Sequence, residues 1–183
     1  MGSYFNPNND GFKQALNSQI YIDKTGMIGF INSILNTEHK FTAISRARRF
    51  GKSMAAKLLI AYYSKGCDSR ELFKGLKAET LPSFKSELNK NNVICLDFQE
   101  MSNEARGNKR KTLEFIQTEV IKELRQAYPE LVNSEDIFLP TVLSNINLAT
   151  GEKFIIIIDE WDYLFRETKQ NRTLHEPLKA DGK

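Results

Sequence analysis

Four consecutive isoleucines, Ile155 to Ile158, stand in the stretch KFIIIIDE, residues 153–160. β-Branched side chains favour strands. A run with no polar alternation calls for burial on both faces, the mark of a central strand in a parallel sheet. Parallel neighbours need long, usually helical, crossovers. The run therefore points to an α/β chain before any other feature is considered. It ends in Asp159-Glu160, so two carboxylates are expected at the carboxyl edge of that sheet.

The remaining pattern agrees with alternating strands and helices. KFTAIS (40–45) and NVICLDF (92–98) read as two further strands. FKQALNS reads as a short helix, and GMIGFINSILNT as an amphipathic one with Ile28, Ile31 and Leu35 at helical spacing. Asp23 or Thr25 can cap the latter. GKSMAAKLLIAYYSKG is the strongest helix, rich in Ala, Leu and Lys, with Gly66 as its stop. The connector 67–92 suggests one or two short helices. NKRKTLEFIQTEVIKELRQAY is a long helix with Leu113, Ile116, Val120 and Leu124 on one face. Pro140 suits the first turn of a helix that Gly151 can end. The first ten residues read as coil. Three strands are fewer than an open doubly wound sheet usually has, so the sheet is expected to be incomplete.

Composition narrows the function classes. The 183 residues suffice for one domain with a real core. A net charge of +3, from 26 basic and 23 acidic residues, speaks against a strong nucleic-acid binder. Cys67 and Cys95 lack metal-ligand spacing, so a reduced, cytoplasmic setting is expected. No apolar run approaches the roughly 20 residues of a membrane span, and no membrane partner is expected.

Two stretches carry chemistry. In SRARRFGKSMAAKLL (45–59) a strand, a loop and a helix follow one another, and the loop ends in Gly51-Lys52-Ser53. Such a loop works by pointing backbone N–H groups at phosphates, assisted by the positive end of the following helix. Lys52 would reach the β- and γ-phosphates and Ser53 would give its hydroxyl to Mg²⁺. At Gly51 a Cβ would crowd the backbone against the phosphates. The standard loop has glycine where this chain has Arg46. Read alone, the tripeptide is a helix N-terminus that happens to hold lysine. The second stretch is FIIIIDEWD. There Asp159 would hold Mg²⁺ through water, and Glu160 would orient and deprotonate the attacking water. Each stretch ends a strand of the expected sheet, where ligands of open α/β folds bind.

YIDKTGMI, SRARRFGKSMAAKLLIAYY and FIIIIDEWD, in this order, resemble the bacterial AAA-ATPase-like proteins, over roughly residues 4 to 170. Their loop commonly reads R-P-R-R-F-G-K-S. Arg46, Arg48, Arg49 and Phe50 match it, and Ala47 replaces a frequent proline. The resemblance implies a P-loop NTPase-like three-layer fold with a mainly parallel sheet, ATP and Mg²⁺ as cofactors, and ATPase chemistry if the chain is competent. It implies a nucleotide-binding set of Arg48, Arg49, Phe50, Gly51, Lys52, Ser53 and Met54. Ser53 and Asp159 fall on the metal side, and Lys52 and Glu160 carry catalysis. Residues 1–20 are then an N-terminal coil and short helix, 21–170 a partial ATPase-like domain, and 171–183 a polar tail. Family members are longer and often carry a restriction-endonuclease-like domain. This chain shows no nuclease motif, so a nucleic-acid partner is expected of a longer protein only. A second copy or another protein is the partner expected for the isoleucine strand.

Other residues have plainer readings beside sharper ones. Arg48 or Arg49 could reach the γ-phosphate or be solvated loop charges. RGNKRK (106–111) reads as a solvated helix start. Asp97 suits a structural hydrogen bond better than metal. Tyr21 and Asp23 are candidates for adenine contacts, Tyr62 and Tyr63 for core and interface, and Trp161 for the nucleotide site or a partner surface. His39 and His175 have no ligand cluster around them. A non-catalytic interaction or nucleic-acid module with a vestigial loop stays open as the alternative function.

Overall fold

The computed structural model describes residues 2–45, 51–105 and 109–163. Its centre is a parallel pair of strands, β1 (Asn92–Asp97) and β2 (Phe154–Asp159), in register from Asn92 opposite Phe154 to Asp97 opposite Asp159. Helices precede, separate and cover them: α1 (Asp10–Leu16), α2 (Met27–Ile34), α3 (Lys52–Tyr63), α4 (Phe84–Glu87), α5 (Phe98–Glu104), α6 (Lys109–Ala127) and α7 (Leu139–Thr150). Two 3₁₀ turns, Arg70–Phe73 and Lys77–Thr80, lie in the connector after α3. This is a mixed α/β arrangement with a small parallel sheet. No helix among the described residues is long and apolar enough to cross a membrane.

Because side chains alternate along a strand, the two faces of the sheet build two cores. Val93 and Ile157 face one cluster with Leu58, Tyr62 and Tyr63 of α3, Phe12 of α1 and Ile28 of α2. Ile94 and Leu96 face the other, with Ile116, Val120 and Leu124 of α6 and Val142 and Ile146 of α7. The end of α3 is buried all round. Tyr62 Oη accepts from Asn32 Nδ2 at 3.0 Å and donates to the Phe84 carbonyl at 2.9 Å, and Tyr63 Oη donates to Asn32 Oδ1 at 2.6 Å. Both phenols are thus satisfied inside the core, as buried hydroxyls must be.

Several expectations need correction. KFTAIS is not a strand: residues 40–45 have no regular structure and Phe41 is 87% exposed. β-Propensity acts only against a pairing partner, and this segment has none in the sheet, which contains β1 and β2 alone among the described residues. The isoleucine run is not buried on both faces. Ile157 is buried, but Ile156 and Ile158 are 51% and 48% exposed: the cluster on their face takes in Ile94 and Leu96 of β1 and, from β2, Phe154 at its start. Leu113 is half exposed on α6, whereas Ile116, Val120 and Leu124 are buried as expected. α3 ends at Tyr63 with Ser64 as its cap, short of Gly66. Neither Asp23 nor Thr25 caps α2, whose N-cap is Gly26.

The opening residues are not free coil. Phe5 forms an antiparallel bridge with Ile94, Cys95 N donates to the Tyr4 carbonyl at 2.8 Å, and Asn6 Oδ1 accepts from Val93 N at 2.8 Å. The Glu123 carboxylate accepts from the backbone N–H of Ser3, Tyr4 and Phe5 at 2.7, 2.9 and 2.6 Å. The N-terminal segment therefore occupies the outer edge of β1. It is held there by an acid more than a hundred residues away.

Candidate functional site at the foot of α3

The direction of α3 decides which residues can meet. Its last turn is fastened to the start of β1: Asn89 N donates to the Tyr62 carbonyl at 2.7 Å, Asn91 N to the Tyr63 carbonyl at 2.9 Å, and Ser64 bridges Asn91. The helix packs back along both strands. Twelve residues of helix and six of strand are each about 18–20 Å long. The first turn of α3 therefore lies at the carboxyl end of the sheet, the end at which Asp97 and Asp159 stand as register partners.

Gly51 precedes the helix at φ 80°, in the left-handed region that a side chain strains to adopt. Lys52, Ser53 and Met54 form the first turn. Ser53 is exposed, Lys52 is half-buried, and Met54 packs partly against the core. Among the described residues no side chain caps this turn, and no acid lies in it. Its N–H groups and dipole present positive potential. Arg48, Arg49 and Phe50, with Arg46, lie outside the described residues.

On the strand side, Asp159 Oδ1 accepts from Glu160 N at 2.9 Å, which fixes that carboxylate at the end of β2. Glu160 adopts φ 48°, a conformation that a non-glycine residue holds at a cost. The chain then turns, with Tyr163 N donating to the Glu160 carbonyl at 2.9 Å. Asp97 is a structural acid, as read from the sequence: its carboxylate caps α5 by accepting from Gln99 N and Glu100 N at 2.9 and 3.0 Å.

A family model described as a predicted AAA-ATPase matches residues 11–180. The chain belongs to the AAA-ATPase-like family. No curated protein and no solved structure shows significant similarity to it.

The electrostatics of this AAA-ATPase-like chain divide the end of the sheet in two. Burial pushes the Cys95 thiol up to about 12, and the nearby carboxylates of Asp159, Asp97 and Glu100 push in the same direction. The strand ends thus carry a negative field and the foot of α3 a positive one. A magnesium–triphosphate has a cation for the first and phosphates for the second. The donor set at the foot of α3 is of the chemistry such a group takes: a left-handed glycine, the amides of the first helical turn, the ammonium of Lys52 and the hydroxyl of Ser53.

Lys24 is the residue that sequence reasoning missed. Its Nζ stands 2.9 Å from the point a Cβ on Gly51 would occupy. It lies inside YIDKTGMI, between residues that were weighed for other reasons, and its proximity to Gly51 is purely tertiary. Of the two residues singled out beside it, Asp23 lines the cavity next to Gly51. Tyr21 packs edge-on against Phe12, with its hydroxyl buried and unpartnered among the described residues, and burial raises it to about 12. Asp23 Oδ1 accepts from Thr25 N and Oγ1 at 2.8 and 2.7 Å, and Oδ2 accepts from Lys77 N at 2.8 Å. Burial pushes its carboxyl up, yet these hydrogen bonds outweigh it and leave the group below its ordinary value. Trp161 is exposed, and Tyr62 and Tyr63 are core.

Proposed function

We propose that the foot of α3 binds ATP with Mg²⁺ and that the acid pair at the end of β2 supports its hydrolysis. What supports this reading is the direction of α3: its last turn is fastened to the start of β1, which directs Gly51-Lys52-Ser53 toward the strand ends that carry Asp159-Glu160, more than a hundred residues on in the chain. Membership of a family of predicted ATPases supports it.

In this reading the amides of Lys52, Ser53 and Met54 receive phosphate oxygens, and the Lys52 ammonium balances charge at the β- and γ-phosphates. Arg48, Arg49 and Phe50 complete the loop, with one of the two arginines meeting the γ-phosphate. Ser53 Oγ and Asp159 would hold the metal. Bound magnesium would draw charge from the phosphate oxygens. Asp159 is already oriented by Glu160 N–H, and Glu160 takes the proton of the attacking water. Free Cys67 and Cys95 suit a reducing, cytoplasmic setting.

A thermal-shift series with ATP, GTP and ADP, with and without Mg²⁺, tests the binding. A saturable shift with Mg-ATP that disappears in Lys52→Ala is expected; an unchanged shift in that variant sinks the reading. Glu160→Gln should release less phosphate while binding ATP as the parent does.

A further inference from the structure

The two edges of the sheet differ. The outer edge of β1 is covered by residues 4–6, which bond the backbone of Val93 and Cys95. Asn92, Ile94 and Leu96 therefore turn their N–H and C=O groups toward β2. Ile155 and Ile157 meet them in the parallel ladder, and the N–H and C=O groups of Phe154, Ile156 and Ile158 point the other way. Among the described residues nothing pairs with this outer edge of β2. Residues 40–45 do not take the place, since Thr42 to Ser45 line the cavity beside Gly51. A bare edge is a template for another strand, and proteins commonly blunt it with a proline, a bulge or an inward charge. Phe154 to Ile158 carries none of these.

The composition of the strand says which partner fits. Directly opposite residues of an antiparallel pair share one face of the sheet. KFIIIID, laid against itself in that sense, is self-complementary. With Ile156 opposite Ile156 of a second copy, Ile155 meets Ile157, Phe154 meets Ile158 and Lys153 meets Asp159, each of these twice. Ile156, whose N–H and C=O point outward, is of the kind that exchanges both hydrogen bonds at such an axis. A slip of one residue opposes outward groups to inward ones. A slip of two puts Lys153 opposite Ile157 or Trp161 and loses both ion pairs. The charged groups are available. Lys153 is exposed, and its ammonium, which has three donors, gives one to Asn36 Oδ1 at 3.0 Å. The half-exposed Ile156 and Ile158 gain apolar neighbours on the same face.

We propose that β2 pairs antiparallel with β2 of a second copy of this chain, about a two-fold axis at Ile156, joining two two-stranded sheets into one of four strands. A two-fold contact of this kind uses the same patch on both copies and closes at the dimer. Two Lys153–Asp159 pairs fix the register. The contact holds whether or not the foot of α3 takes a nucleotide.

Sedimentation equilibrium of the 183-residue chain over a range of concentrations tests it. A reversible species of twice the 21.0 kDa chain mass is expected. Lys153→Asp and Asp159→Lys each turn two attractive cross-strand pairs into repulsive ones, so each should raise the dissociation constant about tenfold. The double variant restores opposite charges in exchanged positions and should return to the parent value. Ile156→Lys sets two ammonium groups against each other on the axis and should leave the chain monomeric; the half-exposed position lets the variant fold. A parent that sediments as the single chain at every concentration overturns the proposal, and so does a ladder of larger species, which a closed pair does not form. An unchanged dimer in Ile156→Lys overturns it as well. A double variant as weak as its two singles, with melts that show it folded, overturns the antiparallel register. If Asp159→Lys does not fold, Lys153→Asp and Ile156→Lys decide the matter by themselves.

Discussion

The ammonium of Lys24 stands 2.9 Å from where a Cβ on Gly51 would project, while Gly51 itself sits at φ 80°. Two demands thus meet at one glycine. The left-handed backbone costs an ordinary residue about 1 kcal/mol or more, and the space beside the Cα belongs to a cation. Gly51→Ala should lower stability by about 1–2 kcal/mol and weaken nucleotide binding. Gly51→Asn separates the two demands. Asparagine tolerates φ > 0, so it should recover part of the stability. Its Cβ still displaces Lys24, so binding should stay weak. Urea melts and ATP titrations of both variants check this, and full recovery of binding in Gly51→Asn would show that only the backbone matters.

Glu160 holds φ 48° immediately after the carboxylate that accepts its N–H. Strain at such a position persists only where the surroundings impose it. Glu160→Gly and Glu160→Ala remove the same carboxylate, but only glycine relieves the backbone. Glu160→Gly should therefore be more stable than Glu160→Ala by about 1 kcal/mol, the reverse of the order in a helix or strand. Both should fail in hydrolysis. Paired thermal melts decide it; alanine the more stable of the two would remove the case for strain.

These two residues lie on stretches that were legible in the sequence; their company was not. The isoleucine run and the Ala-, Leu- and Lys-rich helix announce β2 and α3, because local propensity and tertiary need agree there. A strand of unbroken isoleucine carries no period, however, so nothing in it could say that Ile156 and Ile158 face an uncovered side while Ile157 is buried. KFTAIS has strand propensity without a partner. α5 went unread although Asp97 and Glu100 have the D-x-x-E spacing of a capped helix start. The acid of Glu123 on the N-terminal segment and the ammonium of Lys24 over Gly51 are contacts between distant residues. No local pattern encodes them.

Glu152 ties the approach to β2 to three other segments of the chain. Its carboxylate accepts from Lys65 Nζ at 2.8 Å, from Asn92 Nδ2 at 2.7 Å and from the Tyr128 hydroxyl. The hydrogen bond from Lys65, then that from Tyr128, lowers its pKa to about 2 from 4.5. The folded value lies below the unfolded one, so the contribution is whole above about pH 5 and disappears as pH falls toward 2. About a third of each side chain of the Lys65–Glu152 pair is exposed, so solvent screening limits the effect to about 1 kcal/mol. Glu152→Gln should be less stable than the parent by that amount at pH 7, and the gap should close between pH 5 and pH 2. A constant gap across this range would show that the ionised form is not what matters.

Asp97 and Asp159 are register partners at the same end of two neighbouring strands, yet they are committed differently. Asp97 Oδ1 takes two amides of α5. Among the described residues, the hydrogen bond that orients Asp159 comes from the next residue, Glu160, in the chain. Removing a cap of the first kind costs about 1 kcal/mol of stability and should leave the Mg²⁺ requirement of ATP binding as it was. Asp159→Ala should instead raise the Mg²⁺ concentration needed for half-maximal ATP binding several-fold, with a smaller change in the melt. Magnesium titrations at fixed ATP on Asp97→Ala and Asp159→Ala test the assignment. A larger shift in Asp97→Ala would move the metal to β1, and equal shifts would mean that the end of the sheet acts only through its summed charge.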